Sequence, residues 1–323
     1  MFRRFSGALA AIMMTTTPAL ADTAYPSKPV HLIVPFTAGG STDILARVLA
    51  KGLEQKWGKP VVVENRPGGS TVIGGSAVVS APADGYTLML GSDITYAINP
   101  YVMDKMPFDP LKDLAAVTRI ASAPNWLVVA GDSKLKTFDD LVAQAKLPGK
   151  GLSISVNAVN GYAHLVLNGW IKRNGLNISI IPYSGVSKAI PDLLGGHLDG
   201  VVDVVGGTIG FVKDGKLRAL SILQSKPSSI ANGTLPFGGN AVQDLSVTTS
   251  FVLLTKTGTP PEVIERIYQG VKDVMMQTES QSRLDELALE LVLSSPARTA
   301  EFITSENARF KDIIARSNLS KNQ

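Results

Sequence analysis

The sequence predicts an α/β protein built as two lobes, and three observations carry that expectation. Short β-branched apolar runs alternate with segments of helical spacing, the pattern of a mainly parallel sheet with crossover helices. Strand after strand runs into a loop of small residues. Two longer apolar stretches, 117–129 and 247–254, can carry the chain from one lobe to the other and back. They divide it into a discontinuous first lobe, 22–118 with 252–323, and a continuous second lobe, 119–251.

Val30-His31-Leu32-Ile33-Val34 is an apolar run suited to a buried strand. Pro35-Phe36-Thr37-Ala38-Gly39-Gly40-Ser41-Thr42-Asp43 follows, and then Ile44, Leu45, Val48, Leu49, Leu53 and Trp57 recur at helical spacing. Gly39 and Gly40 leave room for close approach, and the first amides of a helix lack an intrahelical partner, so 36–41 is a ready seat for an anion. The same residues also suit a plain turn and N-cap, with Asp43 favouring the helix dipole. Recurrence of the arrangement weighs toward the seat.

A second strand, 60–64, enters Asn65-Arg66-Pro67-Gly68-Gly69-Ser70 and a helix through about Val79. After the turn at Asp84-Gly85, strand 86–90 delivers Ser92 and Asp93 to its carboxyl end, the rim where open α/β sheets bind ligands. In the second lobe, strand 152–156 leads into a loop with Asn157, Asn160 and Gly161, followed by a helix over 162–172 that carries His164. Strand 178–181 leads to Tyr183 and Gly185 and a helix through Leu194. Strand 198–205 bears Asp203 before Gly206-Gly207, and 217–223 closes the lobe. Gly258-Thr259-Pro260-Pro261 reads as a stop and a helix start, and the remainder is helical with breaks near Thr278 and Pro296.

Composition narrows the function. The 323 residues are 45% hydrophobic and 18% charged, ample for a real core. Basic Arg3 and Arg4, a short apolar run and Ala19-Leu20-Ala21 form a signal peptide over 1–21, cleaved after about Ala21. Its removal leaves 29 basic against 27 acidic residues, scattered rather than clustered, which gives no reason to expect nucleic acid. With no cysteine there is no lipid anchor, disulfide or thiolate ligand. A freely diffusing periplasmic or secreted protein is expected. The three histidines have no metal-binding spacing, and nucleophile-elbow, phosphate-loop and dinucleotide motifs are missing. No cofactor, metal or catalysis is expected.

Several candidates carry two readings. His164 can offer an N–H to a ligand carboxylate or bridging water, or can pack at its helix start. Tyr183 can wall a pocket and use its hydroxyl on a ligand, or simply pack. Asp203 would repel an anion directly, so it orients loop amides or waters, reads a ligand amine, or caps the segment near Thr208. His31 reads as structural and His197 as a surface turn residue.

Tyr25-Pro26-x-Lys28-Pro29, Ile33-Val34-Pro35-Phe36-x-Ala38-Gly39-Gly40-x-x-Asp43, Val62-Val63-Glu64-Asn65-Arg66-Pro67-Gly68 and Pro82-x-Asp84-Gly85-Tyr86-Thr87-Leu88 occur in this order. With Pro182-Tyr183-x-Gly185, Asp192-Leu193-Leu194-Gly195-Gly196 and Gly258-Thr259-Pro260, the set resembles the extracytoplasmic receptors of tripartite tricarboxylate transporters, the Bug family. The resemblance covers essentially the whole mature chain. It implies a two-lobed periplasmic binding protein of type II topology that closes on a small carboxylated solute and serves the membrane subunits of such a transporter; a monomer is expected. It also implies that the Phe36 to Ser41 loop and the loops around His164 and Tyr183 grip the carboxylate, partly through ordered waters. Di- and tricarboxylates, amino acids and aromatic acids all suit the seat. The alternatives are a periplasmic hydrolase or isomerase using His164 and Asp203, and an adhesion or scaffold protein.

Overall fold

A computed structural model describes residues 25–159, 161–224, 236–242 and 245–316. The leader 1–21 and Asn160 lie outside the described residues. Strands β1 (Val30–Val34), β2 (Val61–Asn65) and β3 (Thr87–Gly91) alternate with helices α1 (Ser41–Trp57) and α2 (Val72–Ser80). The chain then makes a π-turn (Ile94–Ile98), two short helices, α3 (Asn99–Val102) and α4 (Pro110–Asp113), and the long strand β4 (Leu114–Ala130). Helices α5 (Phe138–Ala145), α6 (Tyr162–Asn174), α7 (Val186–Leu194) and α8 (Val205–Lys213) alternate with strands β5 (Leu152–Val156), β6 (Ile178–Pro182), β7 (Gly200–Val204) and β8 (Leu217–Ile222). Strand β9 (Thr248–Lys256), helices α9 (Pro261–Met275) and α10 (Thr278–Glu286), the short strand β10 (Glu290–Leu291) and helix α11 (Pro296–Arg316) complete the described chain.

The strands lie in the order β2-β1-β3-β9-β4-β7-β5-β6, with β8 and β10 also on β4. Pairing is parallel within each half, β2-β1-β3 and β7-β5-β6, as crossover helices require. The two long strands depart from the parallel expectation. β9 runs antiparallel between β3 and β4, and β4 runs antiparallel to β7 and β8, because a chain that crosses and returns must reverse direction. β4 changes partner along its length: its pairing with β9 ends at Pro124, and its pairing with β7 begins at Asn125.

Each half has its own core. In the first, Leu45, Leu49 and Leu53 of α1, one turn apart, are fully buried against β1, β3 and β9. Gly58, at φ +63°, ends that helix in the left-handed conformation. Tyr96, Phe108 and Phe310 fill the opposite face of the sheet. In the second half, Phe138, Trp170 and Ile154 pack on one face, and Trp126, Ile190 and Val201 on the other.

α8 lay outside the expected helices because its sequence, with Gly206, Gly207 and Gly210, opposes helix formation. Packing explains two of them. A Cβ on Gly206 would stand 2.6 Å from the carbonyl of Leu287, and one on Gly207 would stand 2.2 Å from Asp203 Oδ2. No helix among the described residues is long and apolar enough to cross a membrane.

Candidate functional site

The turn between β1 and α1 is built around Asp43. Arg47 grips its carboxylate with two hydrogen bonds, of 2.9 and 3.0 Å, and Asn65 Nδ2 donates to it at 2.9 Å and to the Phe36 carbonyl at 3.1 Å. Burial works to raise the Asp43 pKa, but Arg47, the Gly39 amide and Asn65 together hold it below the usual carboxylate range. The Gly39 N–H donates to Asp43 Oδ2 at 2.9 Å. That amide is therefore committed to its own chain. Gly40 forms the N-cap without any side-chain capping bond, so the first-turn amides of α1 face the space beyond it.

That space is a cavity between the two halves of the sheet. Phe36, Thr37, Gly40, Ser41, Ser92 and Asp93 line it from the first half, and Asn157, Gly161, His164, Gly185 and Asp203 from the second. Ala38 and Gly39 do not line it; they form the exposed outer tip of the turn, drawn outward by the bond to Asp43. Nor does Tyr183. Its ring lines an adjoining hollow with Phe36, Ser70 and Val159, and its hydroxyl donates to Asp192 at 2.5 Å. His31 is exposed and pairs with Glu64 at 2.5 Å, and His197 is exposed.

Three residues that line the cavity, Ser41, Ser92 and Asp203, each have a buried oxygen (Oγ, Oγ and Oδ2) with no hydrogen-bond partner among the described residues. Buried polar groups are normally satisfied, so such a cluster points to a polar guest. Asp203 receives the side-chain amide of Asn157 on Oδ1. Burial pushes its pKa up to about 7, against the hydrogen bonds from Asn157 and the Val204 amide. Asp93 is better served: Tyr96 donates to it at 2.8 Å and the Ser250 amide at 3.0 Å, yet burial still raises its pKa to about 6. Burial lowers the pKa of His164, which keeps the imidazole neutral at pH 7. No lysine or arginine is among the described residues that line the cavity. Backbone amides and neutral donors remain to hold an anion.

Asn125, Thr249 and Tyr162 also line the cavity without having been expected there. The first two sit where β4 and β9 cross between the halves, with Asn125 Nδ2 donating to Thr249 Oγ1 at 2.9 Å. A polar residue inside an apolar crossing strand was the available signal for Asn125. The halves also touch directly. Thr37 and Ser187 share a hydrogen bond of 2.8 Å, and Ser70 Oγ donates to the Val159 carbonyl at 3.0 Å. The Tyr162 ring meets Phe310 of α11 edge-on at 4.8 Å, while Arg309 donates to its hydroxyl at 3.3 Å.

Two half-sheets joined by shared crossing strands, closed over a cavity faced by an uncapped helix end, make a two-lobed periplasmic binding protein. Comparison with known proteins takes this further. The tripartite tricarboxylate transporter family receptor model, TctC, matches residues 45–319, and the chain belongs to this family of periplasmic solute-binding receptors. It is 33% identical to the protein BugT of Bordetella pertussis over 298 residues, 92% of this chain and 91% of that one. It is similar, at 28% identity and a TM-score of 0.85, to R. palustris Rpa4515 with adipate, covering 92% of this chain and 99% of that one. A solved structure described as a periplasmic transporter shares 30% identity at a TM-score of 0.86, covering 93% of this chain and all of that one.

Proposed function

We propose that the protein is an exported receptor that captures a small carboxylate between its lobes and delivers it to the membrane subunits of a tripartite tricarboxylate transporter. The observation that carries this reading is the uncapped start of α1 facing a cavity with three partnerless buried oxygens. A carboxylate seated there accepts from the first-turn amides of α1 and from Ser41 Oγ, and gains from the helix dipole. The adipate in the R. palustris relative supports an acid of this size as ligand.

In this reading the leader 1–21 is removed, the lobes are 22–118 with 252–323 and 119–251, and the protein works as a monomer. The ligand touches both lobes and so favours the closed arrangement. Phe36, Thr37, Gly40 and Ser41 hold it from one side, and Asn157, Gly161, His164 and Gly185 from the other. It leaves unaltered, because His164 and Asp203 serve as binding groups.

Native mass spectrometry of freshly purified protein tests the reading, followed by calorimetry with adipate and a panel of di- and tricarboxylates, amino acids and aromatic acids. A co-purified acid and stoichiometric binding are expected. Failure of the whole panel would overturn the proposal. So would turnover of a bound acid that disappears in His164→Ala, which would make the protein an enzyme.

A further inference from the structure

Asp203 is an unusual group to find in an anion's cavity. It stands at the end of β7, is 2% exposed, and has one oxygen held by Asn157 and the other without a partner among the described residues. A Cβ on Gly207 would lie 2.2 Å from that free oxygen and 3.3 Å from Ser41 Oγ. Both oxygens therefore lie against Gly207 and close to one another, and Ser41 and Asp203 line the same cavity at the start of α1. A carboxylate seated on the first turn of α1 beside Ser41 is then a neighbour of Asp203.

Among the described residues, no lysine or arginine lines the cavity to reconcile the two. On α1, Asp43 is already tied to Arg47. Arg119, the one titratable residue of β4, stacks over the Phe302 ring at 4.1 Å. Asp93 carries its own two donors, and α6 brings His164, whose pKa burial lowers. On α7, Lys188 is exposed and Asp192 is bonded by Tyr183. Lys213 of α8, with Arg283 and Glu286 of α10, lines a separate hollow on the far side of Gly207, and Arg283 and Glu286 pair at 2.5 Å. β5 has no titratable residue. Two adjacent buried carboxyls without a cation do not both ionise.

We propose that Asp203 meets the ligand as the neutral acid, its Oδ2–H donating to the bound carboxylate alongside Ser41 Oγ, so that one proton is taken up with each acid captured. This rests on the receptor reading above. The proton comes from solvent, joins Oδ2 without breaking any other bond, and returns to solvent on release. Burial brings the carboxyl to a pKa of about 7 even against the hydrogen bonds from Asn157 and the Val204 amide, and a neighbouring anion raises it further. Affinity is then flat where Asp203 is already protonated and falls about tenfold per pH unit above that range.

Calorimetry with adipate between pH 6 and 9, each pH in two buffers of different ionisation heat, reads the proton directly. Uptake near one proton is expected at pH 8.5 and little at pH 6, with about a tenfold loss of affinity between pH 7.5 and 8.5. Asp203→Asn keeps a donor at the same place but does not titrate. Whatever its affinity, it should bind adipate with no proton uptake and with a flat profile between pH 6 and 9. Absence of buffer dependence in the wild type at pH 8.5 would overturn the proposal, whether or not the variant folds. An unchanged pH slope in a folded Asp203→Asn protein would do the same. Tighter binding of aspartate than of succinate without proton uptake would make Asp203 an acceptor for an ammonium group instead. If no acid binds wild type at any pH, the receptor reading itself fails.

Discussion

Gly185 shows how little space separates the lobes at the rim of the cavity. A Cβ there would stand 1.9 Å from Thr37 Oγ1, across the cleft. Gly185→Ala should therefore hold the cleft ajar and weaken adipate binding by at least tenfold, with a modest loss of melting temperature because the backbone there, at φ +159°, disfavours a side chain. Thr37→Ala in the same chain removes the obstructing oxygen and should restore part of the loss. Calorimetry and thermal melts on the single and double variants would separate obstruction from general damage. An unfolded or strongly destabilised single variant would mean that the contact supports the fold and not closure.

At this scale the sequence was informative where chemistry and local geometry coincide. Ser41, at a helix start after two glycines, and Asp203, at a strand end, could be singled out from their neighbours alone. Ala38 and Gly39 could not be excluded in the same way, since the bond from Gly39 to Asp43 that turns them outward depends on how the turn closes. Tyr183 is a similar case. Its hydroxyl reaches Asp192 nine residues further on, a partner carried by the last turn of α7.

Among the elements, α1 does two jobs with different residues. Its first turn faces the cavity, and its middle packs on α9 so closely that a Cβ on Gly52 would meet Val274 Cγ1 at 2.2 Å. Gly52→Ala should cost about 1–3 kcal/mol through overpacking. Denaturant melts would measure that loss, while the affinity for adipate in the folded fraction stays within a few fold. A large loss of affinity without loss of stability would show that the helix position, set from its middle, governs the seat.

Strands and helices with strong period were legible before any coordinates. Apolar residues at one-turn spacing marked α1, and Pro260-Pro261 marked the start of α9. Elements with weak local preference were not. The π-turn and α3 lie in a segment with no clear period, and α8 is a helix because Gly206 and Gly207 fit against Leu287 and Asp203, a tertiary reason that overrides propensity.

For the molecule as a whole, the contact of Tyr162 with α11 links the cavity wall of one lobe to the outer helix of the other. The Arg309 guanidinium lies 5.3 Å from the Tyr162 ring and 4.4 Å from that of Phe310, and Glu306 holds it in place. Closure should therefore be stabilised from outside the cavity as well as by ligand. Arg309→Ala should bind adipate several fold more weakly through faster release, with the association rate nearly unchanged. Stopped-flow kinetics would decide it, and an effect confined to association would remove Arg309 from any role in holding the lobes together. Contacts of this kind were beyond sequence reasoning because their partners are 147 residues apart.

The place of β9 in the sheet also bears on how the chain is made. This strand separates β3 from β4, its neighbours on either side, yet it follows both by more than a hundred residues. A nascent or truncated chain that stops short of it would present two bare strand margins toward the middle of the future sheet, each a template for mispairing with another copy. The last quarter of the polypeptide thus acts as a keystone, and until it has been translated and translocated the earlier parts depend on being kept apart.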